Sequence, residues 1–206
     1  MHRGRRRTFY VAAVVLAAAV ISPLGGAHAA LGSTGRRGVW LPPAYLAWRT
    51  GGLPGGGLQG DLDRIPGVEH VVVVAGDTLW MVRSIRAGGA VVDDPPRPFD
   101  IPIESFAVHP RRYSVFVPGA WRDLVMRNLR RGLGVLGETS ARLRRLHPGD
   151  RMAFHGGRRL TIGAVVPDEV ASWSELLVSR EVGERLGVSH NRYALLGMKR
   201  TVGSGS

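Results

Sequence analysis

The sequence predicts an α+β fold of short mixed strands and hairpins with two or three short helices. Three observations predict this class. The apolar runs are short and are separated by glycine or proline turns, as in small strands and hairpins. Helical periodicity is confined to a few short segments. No long series of alternating strands and helices is visible, as a parallel α/β sheet would require.

The first 29 residues predict an export signal. Four arginines precede an apolar stretch from Phe9 to Ile21, which a proline and two glycines follow. A membrane-spanning helix needs about 20 apolar residues, whereas a signal peptide needs about 7 to 15 before small residues at its cleavage site. Ala27-His28-Ala29 supplies such a site, so we expect cleavage between Ala29 and Ala30. The alternative is an uncleaved anchor that extends to Leu31.

The composition excludes several kinds of catalytic and binding site. The chain has no cysteine, which excludes disulfides, a thiol nucleophile and a cysteine metal site. Its formal net charge is +12, of which the leader contributes four arginines. The arginines are scattered as pairs and are not interleaved with aromatic residues, so no nucleic-acid partner is expected. The basic surface predicts only a weak, salt-screened attraction to anionic lipid headgroups or wall polymers.

Residues 30–60 are rich in glycine and proline and predict a linker, most clearly at Thr50 to Gly60. Within it, Val39 to Trp48 carries three aromatic residues. Such a segment is expected to dock, either at a membrane interface or on the following domain, and we favour the domain. The folded α+β domain is expected over residues 61–206.

The folded domain is expected to open with a hairpin. Val71 to Ala75 predicts a strand, Gly76-Asp77 a turn, and Thr78 to Ile85 a second strand. The segment from Asp93 to Asp100 excludes regular structure, because its three prolines lack the backbone N–H donor. Ile101 to Val108 then predicts another strand.

The second half of the domain alternates helices and strands. From Trp121 to Arg131, apolar residues at i, i+3, i+4 and i+8 predict an amphipathic helix. A second helix is expected from Glu138 to Leu146, and Ser179 is expected to cap a third. The expected strands are Val135-Leu136, Arg151 to Phe154, Leu160 to Val166, and Tyr193 to Leu196.

No motif for catalysis, metal binding or nucleotide binding is present. His-Glu-x-x-His, Gly-x-Ser-x-Gly, Ser-x-x-Lys and a glycine-rich phosphate loop are all absent, so no such residue is assigned and no cofactor is expected. Glu138-Thr139-Ser140 is interpreted as a helix start. A hydrolase would need a site gathered from distant residues, for which the candidates are His109, Asp150 and His155. A metal site would need histidines gathered around Asp150 or Asp168.

Three segments follow one another in a familiar order: VHPRRYSVFVP (108–118), NLRRGLGVLGETSARLRRLHPGDRMAF (128–154) and GGRRLTIGAVVPDE (156–169). This order resembles the extracytoplasmic core domain of ABC-transporter permeases of the macrolide-exporter and lipoprotein-release type. The matching positions are His109-Pro110 with Tyr113, Gly132 to Gly137, Ala141 to Leu146, Gly149-Asp150, and Thr161 to Val166. The stretch from Leu62 to Val71 is similar to the one that opens the family's domain.

The resemblance implies a non-catalytic module that contacts partners outside the membrane, such as an envelope protein or a cell-wall polymer. The resemblance covers roughly residues 61–166. It does not extend to the four-helix membrane part or to the ATPase of such transporters, so it does not imply transport by this chain alone. We therefore expect an exported binding or scaffolding module, secreted or attached to the outer face of the cytoplasmic membrane.

The sequence is also similar to a module that precedes carboxypeptidase-like domains in secreted actinobacterial proteins. That similarity implies the alternative of a small cell-wall hydrolase or an accessory domain of a wall peptidase. The zinc-binding histidine and aspartate motifs of such peptidases are absent from this sequence. A role other than catalysis is therefore the favoured interpretation.

Overall fold

The computed structural model describes residues 44–96 and 98–199, together with the backbone of Val14–Val15. The rest of the leader, with the expected cleavage site at Ala29 and Ala30, lies outside these residues. The described strands are β1 (Val14–Val15), β2 (Tyr45–Trp48), β3 (Val68–Ile85), β4 (Val91–Asp93), β5 (Ile101–Val108), β6 (Gly134–Gly137), β7 (Arg151–Phe154), β8 (Arg159–Val166), β9 (Leu176–Ser179) and β10 (Asn191–Met198). The described α-helices are α1 (Leu58–Asp63), α2 (Pro110–Tyr113), α3 (Gly119–Arg130), α4 (Glu138–Leu143) and α5 (Arg180–Leu186), and 3-10 turns lie at Ser114–Phe116 and His155–Gly157.

The strands join in one mixed sheet, which confirms the α+β class. Its order is β1-β2-β10-β3-β5-β9-β6-β8-β7, and β4 pairs with β3. The last strand, β7, also pairs with β3 from Met81 to Ile85, so β3, β5, β9, β6, β8 and β7 close into a ring. The β5–β9 and β6–β8 pairs are parallel. Closure of the ring brings the β7–β8 hairpin beside the second half of β3.

Two apolar clusters cover the two faces of the sheet. Neighbouring side chains of a strand point to opposite faces, so Leu176 belongs to one cluster and Leu177 to the other. The first cluster is completed by residues of α4 and α5, and the second by residues of α2 and α3. Each fully buried Val, Leu, Ile, Phe or Met side chain contributes roughly 1.5–3 kcal/mol. These clusters therefore supply the main stabilisation of a chain without disulfides.

The turn predicted at Gly76-Asp77 is wrong, because β3 continues through it as a single strand of 18 residues. The Gly76 amide donates to the carbonyl of His190 at 2.8 Å, and the Asp77 carboxylate accepts the amides of Ser189 and His190. A Cβ on Gly76 would lie 2.8 Å from the ring of Phe106. Gly76 and Asp77, which indicated a turn, therefore make contacts between segments that are distant in the sequence.

Part of the segment predicted as a linker forms a strand. β2 pairs antiparallel with β10, and Trp48 stands opposite Tyr193. Ala47 packs against a small cluster of buried residues that includes Val71 and Leu196. The favoured interpretation of the aromatic segment, docking on the chain's own domain, is therefore seen for Tyr45–Trp48, while residues 39–43 lie outside the described part.

The three predicted helices are present, and α1 and α2 are additional short helices. Helix α4 ends at Leu143, before the predicted end, because Arg145 adopts a left-handed φ of 52° and the Leu146 amide donates back to the Ala141 carbonyl. Ser179 caps α5 as predicted, since its hydroxyl accepts the Val182 amide at 3.4 Å. Across the described residues, every helix is too short or too polar to cross a membrane.

Candidate functional site

A cleft of about 640 Å³ opens beside the second half of β3. One wall is the proline-rich segment 94–100, and the opposite wall is the turn between β7 and β8. The ring closure described above places the two walls together, since it pairs β7 with β3. The described lining residues are Val82, Arg83, Ile85, Asp94, Pro95, Pro98, Phe99, Asp100, Ala153, Phe154, His155, Gly156, Gly157 and Arg159.

The proline-rich wall presents apolar surface. Residues 94–96 and 98–100 have no regular structure, as the sequence predicts, whereas Asp93, which was included in that prediction, ends strand β4. The prolines have no backbone N–H that would need a partner when the wall is covered. The Phe99 amide donates to the Pro96 carbonyl at 3.0 Å and closes a tight turn. The turn leaves the Phe99 residue 68% exposed. Phe99 and the cleft prolines Pro95 and Pro98 together give apolar surface at one wall, and apolar surface that is grouped in this way is typical of an interaction site.

A histidine–aspartate pair joins the two walls. The His155 Nδ1 atom lies 2.8 Å from Oδ2 of Asp100. Gly156 and Gly157, with φ of 73° and 77°, form the left-handed turn that carries His155 to this position. The Asp100 side chain is 25% exposed and that of His155 is 73% exposed. The pair therefore fastens the proline-rich segment to the β7–β8 turn and leaves most of the imidazole accessible.

The rim of the cleft carries charges of both signs. Arg83 Nε lies 3.8 Å from Oδ1 of Asp94, and Arg159 begins strand β8 at the same cleft. Among the described lining residues, apolar walls combine with Arg83, Arg159 and two aspartates, and this mixture matches a polypeptide surface better than it matches a simple ion.

The described lining of the cleft offers no hydroxyl, thiol or amine nucleophile. None of its described lining residues is a serine, threonine, cysteine, lysine or tyrosine. Covalent catalysis needs a nucleophile within hydrogen-bond reach of its base. An imidazole oriented by a carboxylate, as in the His155–Asp100 pair, can activate a water molecule.

The hydrolase candidates chosen from the sequence are not brought together. Asp150 and His155 flank the four-residue strand β7, which separates their Cα atoms by about 16 Å. His109 follows β5 at its C-terminal end, whereas His155 pairs with Asp100 before its N-terminal end. The three residues therefore lie at three separate places on the ring.

Asp150 instead holds a turn together. Its carboxylate accepts the amides of Ala87 and His147 at 2.9 and 2.8 Å, and Nη1 of Arg86 lies 3.1 Å away. Burial acts to raise the pKa of this carboxyl, but the hydrogen bonds and the Arg86 charge outweigh it, so the pKa is lowered. The interpretation of His147-Pro148-Gly149-Asp150 as turn chemistry agrees with this arrangement.

Glu138-Thr139-Ser140 begins a helix, as interpreted from the sequence. The Asp168 carboxylate accepts the Thr139 amide at 3.1 Å and its hydroxyl at 2.6 Å, and the Ser140 hydroxyl donates to Glu175 at 3.0 Å. Asp168 is therefore a capping residue for α4. Over the described residues, no three histidine, aspartate or glutamate side chains are placed to hold a metal ion.

Phe99, Asp100 and Arg83 were not singled out by sequence reasoning. An aromatic residue directly after a run of prolines was a usable signal for Phe99, because such a segment cannot enter a strand or helix and leaves its side chain unpacked. The pairing of Asp100 with His155 had no such signal, since the two residues are separated by 55 positions in the chain.

Comparison with known proteins returns matches of structure alone. No protein-family model matches the sequence, and no curated protein is significantly similar to it. Among solved structures, the chain resembles extracytoplasmic domains of ABC-transporter permeases, the class that the sequence resembles, and this resemblance is confirmed.

The matching structures are distant. The periplasmic region of MacB from Actinobacillus actinomycetemcomitans is 14% identical with a TM-score of 0.43, covering 71% of this chain and 65% of that one. A permease domain from Porphyromonas gingivalis is 20% identical with a TM-score of 0.45, covering 71% and 63%. The extracellular domain of the ABC-type transporter YknZ from Gram-positive bacteria is 12% identical with a TM-score of 0.42, covering 69% and 71%. This chain thus spans just under two thirds of the first two, and likenesses at this level do not assign a function.

Proposed function

We propose that the chain is an exported, non-catalytic binding module that docks an envelope protein outside the cytoplasmic membrane. The observation that carries the proposal is the apolar cleft with Phe99 exposed at its mouth. The leader supports export, since its basic start, short apolar core and Ala27-His28-Ala29 site are the three parts of a signal peptide.

The partner docks as a polypeptide segment along the proline-rich wall. Its apolar side chain covers Phe99 and Pro98, and burial of such aromatic surface is the largest favourable contribution at protein interfaces. Its charged groups pair with Arg159 and Arg83 at the rim, where they set orientation more than affinity. Because the His155–Asp100 pair already fastens the two walls, little ordering of the cleft is needed on binding.

Replacement of Phe99 tests this docking. We expect Phe99→Ser to reduce recovery of the bound envelope protein from detergent-solubilised cells about tenfold or more, because loss of a central aromatic contact costs about 2 kcal/mol or more. The control is Leu143→Ser on α4, where the residue is 60% exposed and does not line the cleft. Equal recovery with the two variants, both folded to the same melting temperature, would refute docking at Phe99.

A small cell-wall hydrolase is the second candidate, and the His155–Asp100 pair favours it. In that mechanism Asp100 orients His155, which takes a proton from a water molecule. The test is release of soluble fragments from purified cell wall by the wild-type protein and by His155→Ala. Release that is lost in His155→Ala would establish the hydrolase, and the proposed binding module predicts no release by either protein.

A further inference from the structure

A second cavity, of about 380 Å³, shares Arg159 with the cleft. It is formed by the segment after α3, the first residues of β8, and the end of α5. Its described lining residues are Gly132, Leu133, Arg158, Arg159, Leu160, Thr161, Val182, Arg185 and Leu186. We refer to it as the arginine pocket, because three of these nine residues are arginines.

Two of the three guanidinium groups hydrogen-bond to the protein. Arg158 donates through Nε to the His155 carbonyl at 3.1 Å and through Nη1 to the carbonyl of Leu186. Arg185 donates through Nη1 to Glu181, one turn earlier on α5, at 2.7 Å. A guanidinium has five N–H donors, so both groups keep donors for a ligand. The two backbone carbonyls hold Arg158 in place, which lowers the entropic cost of binding. The ion pair between the exposed side chains of Arg185 and Glu181 restrains Arg185 only weakly.

The charge of the pocket is unbalanced. Its described lining includes no acidic residue, and the salt bridge to Glu181 neutralises only Arg185. Arg130 and Arg131 are also exposed immediately before Gly132. The buried side chains of Val182, Leu186 and Leu160 form the apolar part of the lining. All three arginines are exposed, so their attraction for an anion acts in contact with solvent and is screened by salt.

We propose that the arginine pocket binds a phosphate ester of a small polyol, such as glycerol phosphate. A planar guanidinium donates two parallel hydrogen bonds to a pair of oxygens on one ligand group. A phosphate offers several such pairs of oxygens and can therefore bind more than one arginine in this way, whereas a carboxylate offers only one pair. The volume lies within the range of small-ligand sites and admits a phosphate with a short polyol. The hydroxyl of Thr161 is available to the polyol. The pocket shares Arg159 with the cleft but does not include Phe99, so a failure to bind glycerol phosphate would leave the proposed function untouched.

Titration of the full chain with sn-glycerol 3-phosphate tests the site. We expect Arg159→Gln with Arg185→Gln to weaken binding at least about tenfold, because hydrogen bonds between charged groups are the strong ones in such a contact. The control is Arg111→Gln with Arg142→Gln, two exposed arginines outside the pocket whose loss changes the net charge equally. The control should bind as wild type does.

Vesicles identify the source of the phosphate ester. Variant-sensitive binding both to glycerol phosphate and to phosphatidylglycerol vesicles, but not to phosphatidylcholine vesicles, would assign the ligand as a lipid headgroup. Variant-sensitive binding to free glycerol phosphate alone would assign a soluble or wall-bound ester. No binding of glycerol phosphate by the wild type, or an equal loss in both double variants, would overturn the proposal.

Discussion

Asp77 and Asp150 join parts of the chain that are distant in sequence. Asp77 accepts the amides of Ser189 and His190 at 2.8 and 3.2 Å, and Asp150 accepts the Ala87 amide across the ring closure. Burial acts to raise the pKa of both carboxyls, but these hydrogen bonds outweigh it, so the pKa of each is lowered. Both groups therefore stabilise the fold in the ionised form. The local role of Asp150 was predictable from its Pro-Gly-Asp turn, whereas Asp77 looked like a turn residue because its partners lie 112 and 113 positions away.

Acid should remove the contribution of Asp150. When the pKa of an aspartate is lower in the folded state than in the unfolded state, its ionised form stabilises the fold. That stabilisation is fully present above the ordinary aspartate pKa near 3.9 and is lost as the pH falls through the pKa of the folded state. We expect Asp150→Asn to lower the free energy of unfolding at pH 7 by about 1–3 kcal/mol and to lose less stability than wild type between about pH 5 and pH 2. Urea unfolding at a series of pH values measures both the free energy of unfolding at pH 7 and its loss in acid. Asp123→Asn, at an exposed position of α3, is the control, and parallel acid profiles for Asp150→Asn and wild type would contradict the assignment.

At the scale of elements, helix α5 lies so close to strand β5 that glycine is required between them. A Cβ on Gly183 would lie 2.4 Å from the Cβ of Ala107. We expect Gly183→Ala to destabilise the protein by about 1–3 kcal/mol, because the helix must move away from the sheet. Gly119→Ala, at the start of α3 with no atom within 4 Å of its added Cβ, should be neutral or slightly stabilising. Thermal unfolding of both variants tests this prediction. Equal melting temperatures would contradict it, because they would show that α5 can move away from β5 without loss of stability.

The elements themselves were largely predictable where the signal is local. The apolar periodicity of α3, the alternation of β8 and the serine cap of α5 each depend on residues within one element. The single long strand β3 and the strand β2 were not predicted. Gly76-Asp77 within β3 resembled a turn, and β2 lies in a segment that resembled a linker. Pairing of Gly76 and Asp77 with β5, and of β2 with β10, makes these residues part of strands.

At the scale of the whole molecule, the candidate site is a product of ring closure. Its walls come from the segment after β4 and from the β7–β8 turn, which meet because β7 pairs with β3. No pattern within either segment indicates that pairing, so the cleft could not be predicted from the sequence. The sequence did indicate the class of domain, because the motifs that carry the resemblance are turn and packing residues of the fold.

The central claim is that this chain acts as an exported binding module through the cleft at Phe99. The most direct test places a photo-crosslinking amino acid at Phe99 in intact cells, with the same replacement at Met198 as control. Met198 is 42% exposed and pairs with Val68, at the other end of β3 from the cleft. The account predicts a specific crosslink to an envelope protein from position 99 and none from position 198, made by a chain that begins at Ala30. Crosslinks that are absent at position 99, or the same at both positions, would contradict it.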